Sequence, residues 1–288
     1  MRPYEGLLTA MVTPFQPDGR VNDDASVAMA KHLLANGSHG LVVAGTTGEA
    51  ATLTDDEQTR LVELIAREAG GEGAIVAGAG SNDTRHAVEL TERVIAAGAD
   101  AVLSVTPYYN KPNRRGILAH FTEVARAAGG TPVILYNIPG RTAVNMGPDL
   151  LAELAQIDGI VAVKQANTPE QQPIDGMVVL AGNDDAYLAN LEMGGGGCIS
   201  VASHIVGPEM RRMWDEPGQR EEIDASLRDV YATLFITASP TPVKAALNLL
   251  GLDAGTLRLP MVEADESELT QIRAMLERHG LLATASTA

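Results

Sequence analysis

Short apolar runs recur along the chain, each ending in small or polar residues and followed by a stretch of helical periodicity. They occupy residues 7–12, 40–44, 74–77, 101–105, 132–136, 160–163, 178–181 and 198–201. The helical patterns between them include 84–97 and also 55–69, which Thr54 opens with Glu57 three positions on, as a capping box requires. Strands alternating with helices in this rhythm form parallel βαβ units. Eight such units predict an α/β fold closed into a (β/α)8 TIM barrel.

Strand ends near 46, 79, 106, 136 and 164 are spaced by roughly 30 residues, the length of one βα unit. The step from Lys164 to Gly182 is much shorter. Its linker, 167–176, contains Pro169 and Pro173, so the sixth helix is expected to be a single turn or absent. From about residue 208 the chain reads as helices, including 221–238 and 266–279. These are expected to be the last barrel helix and a helical C-terminal extension, dividing the chain into a catalytic barrel, 1–225, and an extension, 226–288. No repeat beyond the βα period and no low-complexity linker is visible.

Composition narrows the choice of partners. A chain of 288 residues suits one barrel, a fold that typically takes about 250. Aromatic residues make up only 3%, so the core must rest on Ala, Val, Leu and Ile, as suits a parallel sheet buried on both faces. The net charge of −16 argues against nucleic acid and against an anionic membrane surface. Anionic substrates must then be held by local donors against the global field. The single cysteine, Cys198, excludes an intrachain disulfide. There is no basic leader and no apolar stretch of the roughly 18–20 residues that a membrane span needs, so a cytoplasmic protein is expected.

In such barrels the active site lies at the C-terminal ends of the strands. That rule selects Thr46 and Thr47, Thr106-Pro107-Tyr108-Tyr109, Tyr136-Asn137, Lys164, and Gly182-Asn183. Lys164 closes an apolar run, where partial desolvation makes a neutral, nucleophilic amine accessible. Position alone fits a lysine snorkelling to solvent as well. A phenol on the adjacent strand end, Tyr136, adds a group able to shuttle the protons of carbinolamine formation and dehydration. The turn Gly45-Thr46-Thr47-Gly48-Glu49 offers backbone N–H groups suited to a carboxylate and lacks the Walker A pattern. Gly194–Gly197 precedes a strand instead of following one, so the dinucleotide fingerprint fits poorly. Asp184-Asp185 reads as an acidic pair at a helix N-terminus. The six histidines show no metal-ligand spacing, and no metal is expected in the chemistry.

Three segments, Gly45-Thr46-Thr47-Gly48-Glu49, Tyr136-Asn137-Ile138-Pro139-Gly140-Arg141-Thr142 and Val163-Lys164, resemble the motifs of the dihydrodipicolinate synthase family, within the wider N-acetylneuraminate lyase superfamily. The similarity extends from Leu7 to Met261, and Tyr108-Tyr109-Asn110-Lys111-Pro112 narrows it toward the synthases. The resemblance implies a class I aldolase that joins pyruvate to aspartate semialdehyde and needs no cofactor. Lys164 would form the imine, and Tyr136, Thr46 and Tyr109 a proton relay, with Tyr109 reaching into the neighbouring subunit's site. The Thr46–Thr47 backbone would hold the pyruvate carboxylate and Arg141 that of the aldehyde, while Gly182 and Ile199 line the pocket through their backbones. A homo-oligomer follows, a tight dimer sharing Tyr109, with the tetramer in doubt because the sixth helix is short. Other readings are a 2-keto-3-deoxy sugar acid or sialic acid aldolase, which Arg141 and the paired tyrosines disfavour, and an idle keto-acid binder, which has no need of a relay.

Departures from the family pattern carry expectations of their own. Lysine-sensitive members place a carboxylate at the position of His86 and histidines at those of Asp55 and Gln58, whereas Asn82 and Tyr108 are retained. Weak or absent feedback by lysine is expected, because the inhibitor's α-amino group loses its partner. Gln165 stands where relatives have an acidic residue, with consequences for the lysine's surroundings that sequence does not define.

Overall fold

The computed structural model describes residues 2–282. Met1 and 283–288, the last residues of the expected extension, lie outside them. Eight parallel strands close into a barrel in chain order. They are β1 (Gly6–Ala10), β2 (Gly40–Val43), β3 (Ala74–Gly78), β4 (Ala101–Val105), β5 (Val133–Asn137), β6 (Ile160–Gln165), β7 (Val178–Ala181) and β8 (Gly197–Ser200). Each of the eight apolar runs is a strand, with ends shifted by a residue or two. The shift that matters is in β6, which runs on through Lys164 to Gln165, so the lysine lies within the ladder.

Around the barrel stand α1 (Asp23–Ala35), α2 (Asp55–Ala69), α3 (Thr84–Ala96), α4 (Arg114–Ala127), the single turn α5 (Pro139–Thr142), α6 (Pro148–Leu154), α7 (Tyr187–Glu192) and α8 (Ser203–Asp215). The Thr54 side chain accepts from Glu57 N, and Glu57 returns the bond to Thr54 N, so the capping box starts α2 where the sequence places it. After β6 only a 3-10 turn, Thr168–Glu170, takes the place of a helix, as the prolines require. α9 (Arg220–Thr233), α10 (Thr241–Leu249) and α11 (Glu266–Arg278) follow. α9 stops five residues short of the expected end, at Thr233 rather than 238. Among the described residues no helix is long and apolar enough to cross a membrane.

The core has two shells, as period-2 alternation on strands buried on both faces dictates. Inside the barrel Leu8, Val42, Val76, Leu103, Ile134, Ala162, Leu180 and Ile199 pack on one another. Outside it Leu7, Leu41, Ile75, Val102 and Cys198 face one side's helices, and Val133, Leu135, Val163 and Val179 the other's. Packing two such layers leaves the C-terminal strand ends as the place where polar side chains can converge.

Candidate active site

Alternation along β6 turns Ala162 and Lys164 inward and sends Val163 out against the helices. On β5 the same rule turns Ile134 and Tyr136 inward, and the sheet register sets Tyr136 opposite Lys164. The Lys164 Nζ lies 4.4 Å from the centroid of the Tyr136 ring. Both residues are buried, Lys164 at 6% exposure and Tyr136 at 5%. An amine and a phenol thus share a site largely withdrawn from bulk water, where polar interactions are strengthened.

Behind this pair runs a network of amides. Gln165 Oε1 accepts from Asn137 Nδ2 at 3.0 Å and from the Asn167 backbone at 2.9 Å. Asn137 Nδ2 also donates to Asn145 Oδ1, its Oδ1 accepts from Met146 N, and Asn145 donates to Glu170 at 2.9 Å. Gln165 therefore acts as a neutral acceptor that ties β6 to β5 and to the segment after α5. Gly182 permits the approach of β7 to this strand end: a Cβ there would stand 2.9 Å from Ala166 N and from the Gln165 carbonyl carbon.

The Thr46–Thr47 turn follows β2 at the same rim, with Thr46 exposed and Thr47 buried. Two non-glycine residues flank it in left-handed conformation, Ala44 at φ 52° and Glu49 at φ 56°. Each such residue costs about 1–3 kcal/mol and persists only where the surroundings over-determine it. Among the described residues the N–H groups of Thr46, Thr47 and Gly48 donate to no protein acceptor. Three unengaged donors on one turn suit an anion.

Arg141 occupies α5, exposed, and its guanidinium makes no hydrogen bond or ion pair among the described residues. Tyr109, on the loop between β4 and α4, has 88% of its surface exposed. It too is held in left-handed conformation, at φ 70°. The structure thus brings Lys164 and Tyr136 together and leaves Tyr109 exposed at the surface. Ile199 is buried in the barrel interior, and its strand pairs with β1 at Leu8.

Three features escape the sequence reading. Asp184 is not simply the first acid of a helix: it is buried, and its carboxylate accepts from Val201 N and from Ala202 N at 3.0 Å, fixing the β8–α8 connection. Burial pushes its carboxyl above the usual range, against the opposing pull of those donors and of Lys164. Second, the surroundings of His86 do include a carboxylate. Asp55, from α2, takes a hydrogen bond with His86 Nε2 at 2.9 Å, while Ser81 engages Nδ1 at 3.0 Å. Third, Lys244 of α10 is buried against Glu49; a lysine between apolar neighbours in Pro242-Val243-Lys244-Ala245-Ala246 was the available signal. Among the described residues there is no group of three or more His, Cys, Asp or Glu that could hold a metal ion.

A buried amine beside a phenol, with N–H donors free on the turn after β2 and a free guanidinium on α5, can form an imine with a 2-oxo acid and present it to a second anionic substrate. The known proteins that the chain resembles agree with this chemistry. It is 40% identical to the 4-hydroxy-tetrahydrodipicolinate synthase of Thermosynechococcus vestitus, covering 98% of this chain and 99% of that protein. With the synthase of Heliobacterium modesticaldum the identity is 42%, over 96% and 95% of the two chains. Its fold matches the lysine-bound dihydrodipicolinate synthase of Cyanidioschyzon merolae with a TM-score of 0.91, at 39% identity over 98% of this chain and all of the other. The chloride-inhibited, pyruvate-complexed synthase of Acinetobacter baumannii matches with a TM-score of 0.93, at 34% identity over 97% of this chain and 100% of the other. The model of the dihydrodipicolinate synthetase family matches residues 3–279, and the chain belongs to that family.

Proposed function

We propose that this protein is a lyase that condenses pyruvate with L-aspartate 4-semialdehyde to 4-hydroxy-tetrahydrodipicolinate, the step that leads into diaminopimelate and lysine biosynthesis. The observation that carries the reading is Lys164 in register with Tyr136 inside the barrel mouth. The Lys164 amine adds to the pyruvate ketone, and loss of water gives the imine. Tyr136 relays the protons of both steps, with Thr46 and the partner subunit's copy of Tyr109 completing the path to solvent. Loss of a methyl proton gives an enamine, whose carbon attacks the aldehyde. The amino group of the product then closes on the imine carbon, and the lysine leaves as the free amine.

The free N–H groups of the Thr46–Thr47 turn take the pyruvate carboxylate, and Arg141 takes the carboxylate of the aldehyde, a role its unengaged guanidinium supports. Gly182 and Ile199 form pocket wall through their backbones. The exposed Tyr109 supports a dimer in which each subunit completes the other's site. The barrel is taken as 1–225 and the extension as 226–288, a boundary that falls inside α9. No cofactor enters this scheme.

Borohydride trapping in the presence of pyruvate tests the mechanism, and turnover with both substrates, coupled to the downstream NADPH-dependent reductase, tests the substrate. A pyruvyl adduct that vanishes in Lys164→Ala, together with turnover, is the expected result. An adduct that persists in that variant moves the imine to another lysine. Trapping without turnover keeps the imine and moves the aldehyde to the sugar acids.

A further inference from the structure

The turn that bears Thr46 and Thr47 is anchored from the far end of the chain. Glu49 closes it in left-handed conformation, and its side chain is 2% exposed. Lys244 Nζ, on α10 and 1% exposed, donates to Glu49 Oε1 at 2.7 Å and to Thr256 O at 2.6 Å. Arg258 N donates to Glu49 Oε2 at 3.1 Å. Arg258 extends the clamp outward, with its guanidinium donating to Thr52 O and to Glu57 at 2.8 Å. The Lys244 ammonium and the Arg258 guanidinium cover the Phe15 ring, at 4.6 and 4.4 Å from its centroid. From the barrel side Thr13 Oγ1 donates to Gly48 O at 2.7 Å.

A buried ion pair is weak evidence for stability, because desolvating both charges offsets much of their attraction and well-packed apolar residues often serve as well. What apolar residues do not supply is direction. Both oxygens of Glu49 are engaged by donors from the segment 244–258, and a backbone that does not favour left-handed Glu49 is held there by them. The same turn presents the unengaged N–H groups of Thr46, Thr47 and Gly48. We propose that Glu49 and Lys244 are positioning residues through which the C-terminal extension sets the carboxylate-binding turn of the barrel. The inference rests on the Schiff-base reading above. It assigns the extension a part in binding the first substrate, from a contact made 195 residues along the chain.

The test is the pyruvate concentration that gives half-maximal borohydride trapping, and the matching split of KM against kcat in turnover. Lys244→Met strands the Glu49 carboxylate, and Glu49→Gln keeps its shape and removes its charge, serving alone if the first variant does not fold. Half-saturation by pyruvate is expected to rise roughly tenfold in each folded variant, equivalent to about 1.4 kcal/mol. Because Thr46 rides on the same turn, kcat at saturating pyruvate should fall too, by less than the rise in pyruvate half-saturation, while half-saturation by the aldehyde should move by less than a factor of about two. A lower melting temperature with unchanged pyruvate half-saturation means that the pair only stabilises the fold, and overturns the proposal. Absence of trapping in the parent protein overturns the Schiff-base reading itself and takes this proposal with it.

Discussion

His204 gives a prediction whose sign and size follow from two hydrogen bonds. Its ring is buried at 3% exposure. Nδ1 donates to Val201 O at 2.9 Å, and Nε2 accepts from Val12 N at 3.2 Å. Only the neutral Nδ1–H tautomer satisfies both partners, because a proton on Nε2 would face the Val12 N–H. Burial accordingly lowers the pKa from 6.5 to about 4, outweighing the favourable bond to Val201. The folded state holds the imidazole neutral while the unfolded chain takes up a proton near 6.5. The contribution is therefore fully present above that pH and is lost as pH falls from 6.5 toward 4. Between pH 7 and pH 5 this one residue removes about 2 kcal/mol from the stability of the native state.

The perturbation is His204→Gln, followed by urea unfolding of both proteins at the two pH values and one protein concentration, read by the fluorescence of Trp214, the only tryptophan. His39 and His120, which burial also lowers to about 4, are present in both proteins and cancel in the difference. The parent should lose about 2 kcal/mol more than the variant on acidification. Parallel losses in the two proteins would mean that His204 is not held neutral, and would refute the argument.

Two further outcomes bear on the site. Gly182→Ala pushes a Cβ against the Gln165–Ala166 backbone at 2.9 Å, and a displacement of about 1 Å at the neighbouring Lys164 should lower kcat/KM by about 10²-fold. Activity within twofold of the parent, in a variant with unchanged circular dichroism, would remove Gly182 from the site. Lysine is expected to inhibit weakly or not at all: the carboxylate bonded to His86, that of Asp55, is already engaged by that imidazole and approached by Arg93 at 3.9 Å. Half-inhibition at sub-millimolar lysine in the coupled assay would contradict this, and would mean that the exchange of acid and histidine between α2 and α3 preserves the inhibitor's contacts.

Much of the molecule is legible along the chain because its causes are local. Each strand needs a run of residues tolerant of burial on both faces, so the eight runs stand out without reference to one another. Thr54 and Glu57 mark the start of α2 because a capping box closes within four residues. Pro169 and Pro173 foretell the missing sixth helix because proline acts on the backbone it belongs to. Lys164 is conspicuous for the same reason, as a charge ending an apolar run. Family resemblance adds roles for Tyr136, Thr46 and Arg141 that no periodicity contains.

Closure of the barrel decided the rest. Only the register of β5 on β6 sets Tyr136 opposite Lys164, and a slip of one residue would have turned one of them outward. Gln165 is a polar residue at a strand end until Asn137 and Asn167 converge on its oxygen. Asp184 has the sequence of an ordinary helix start, and its work is done for the next strand's turn. That Asp55 and His86, both marked in the sequence as departures, meet in one hydrogen bond is invisible until α2 lies beside α3. Lys244 and Glu49 are furthest from being legible, since a buried charge is admissible only if its partner is present, and that partner lies 195 residues away. Local backbone preference and side-chain periodicity are written in the order of residues, whereas the compensation of buried polar groups depends on which distant segments the closed barrel brings together.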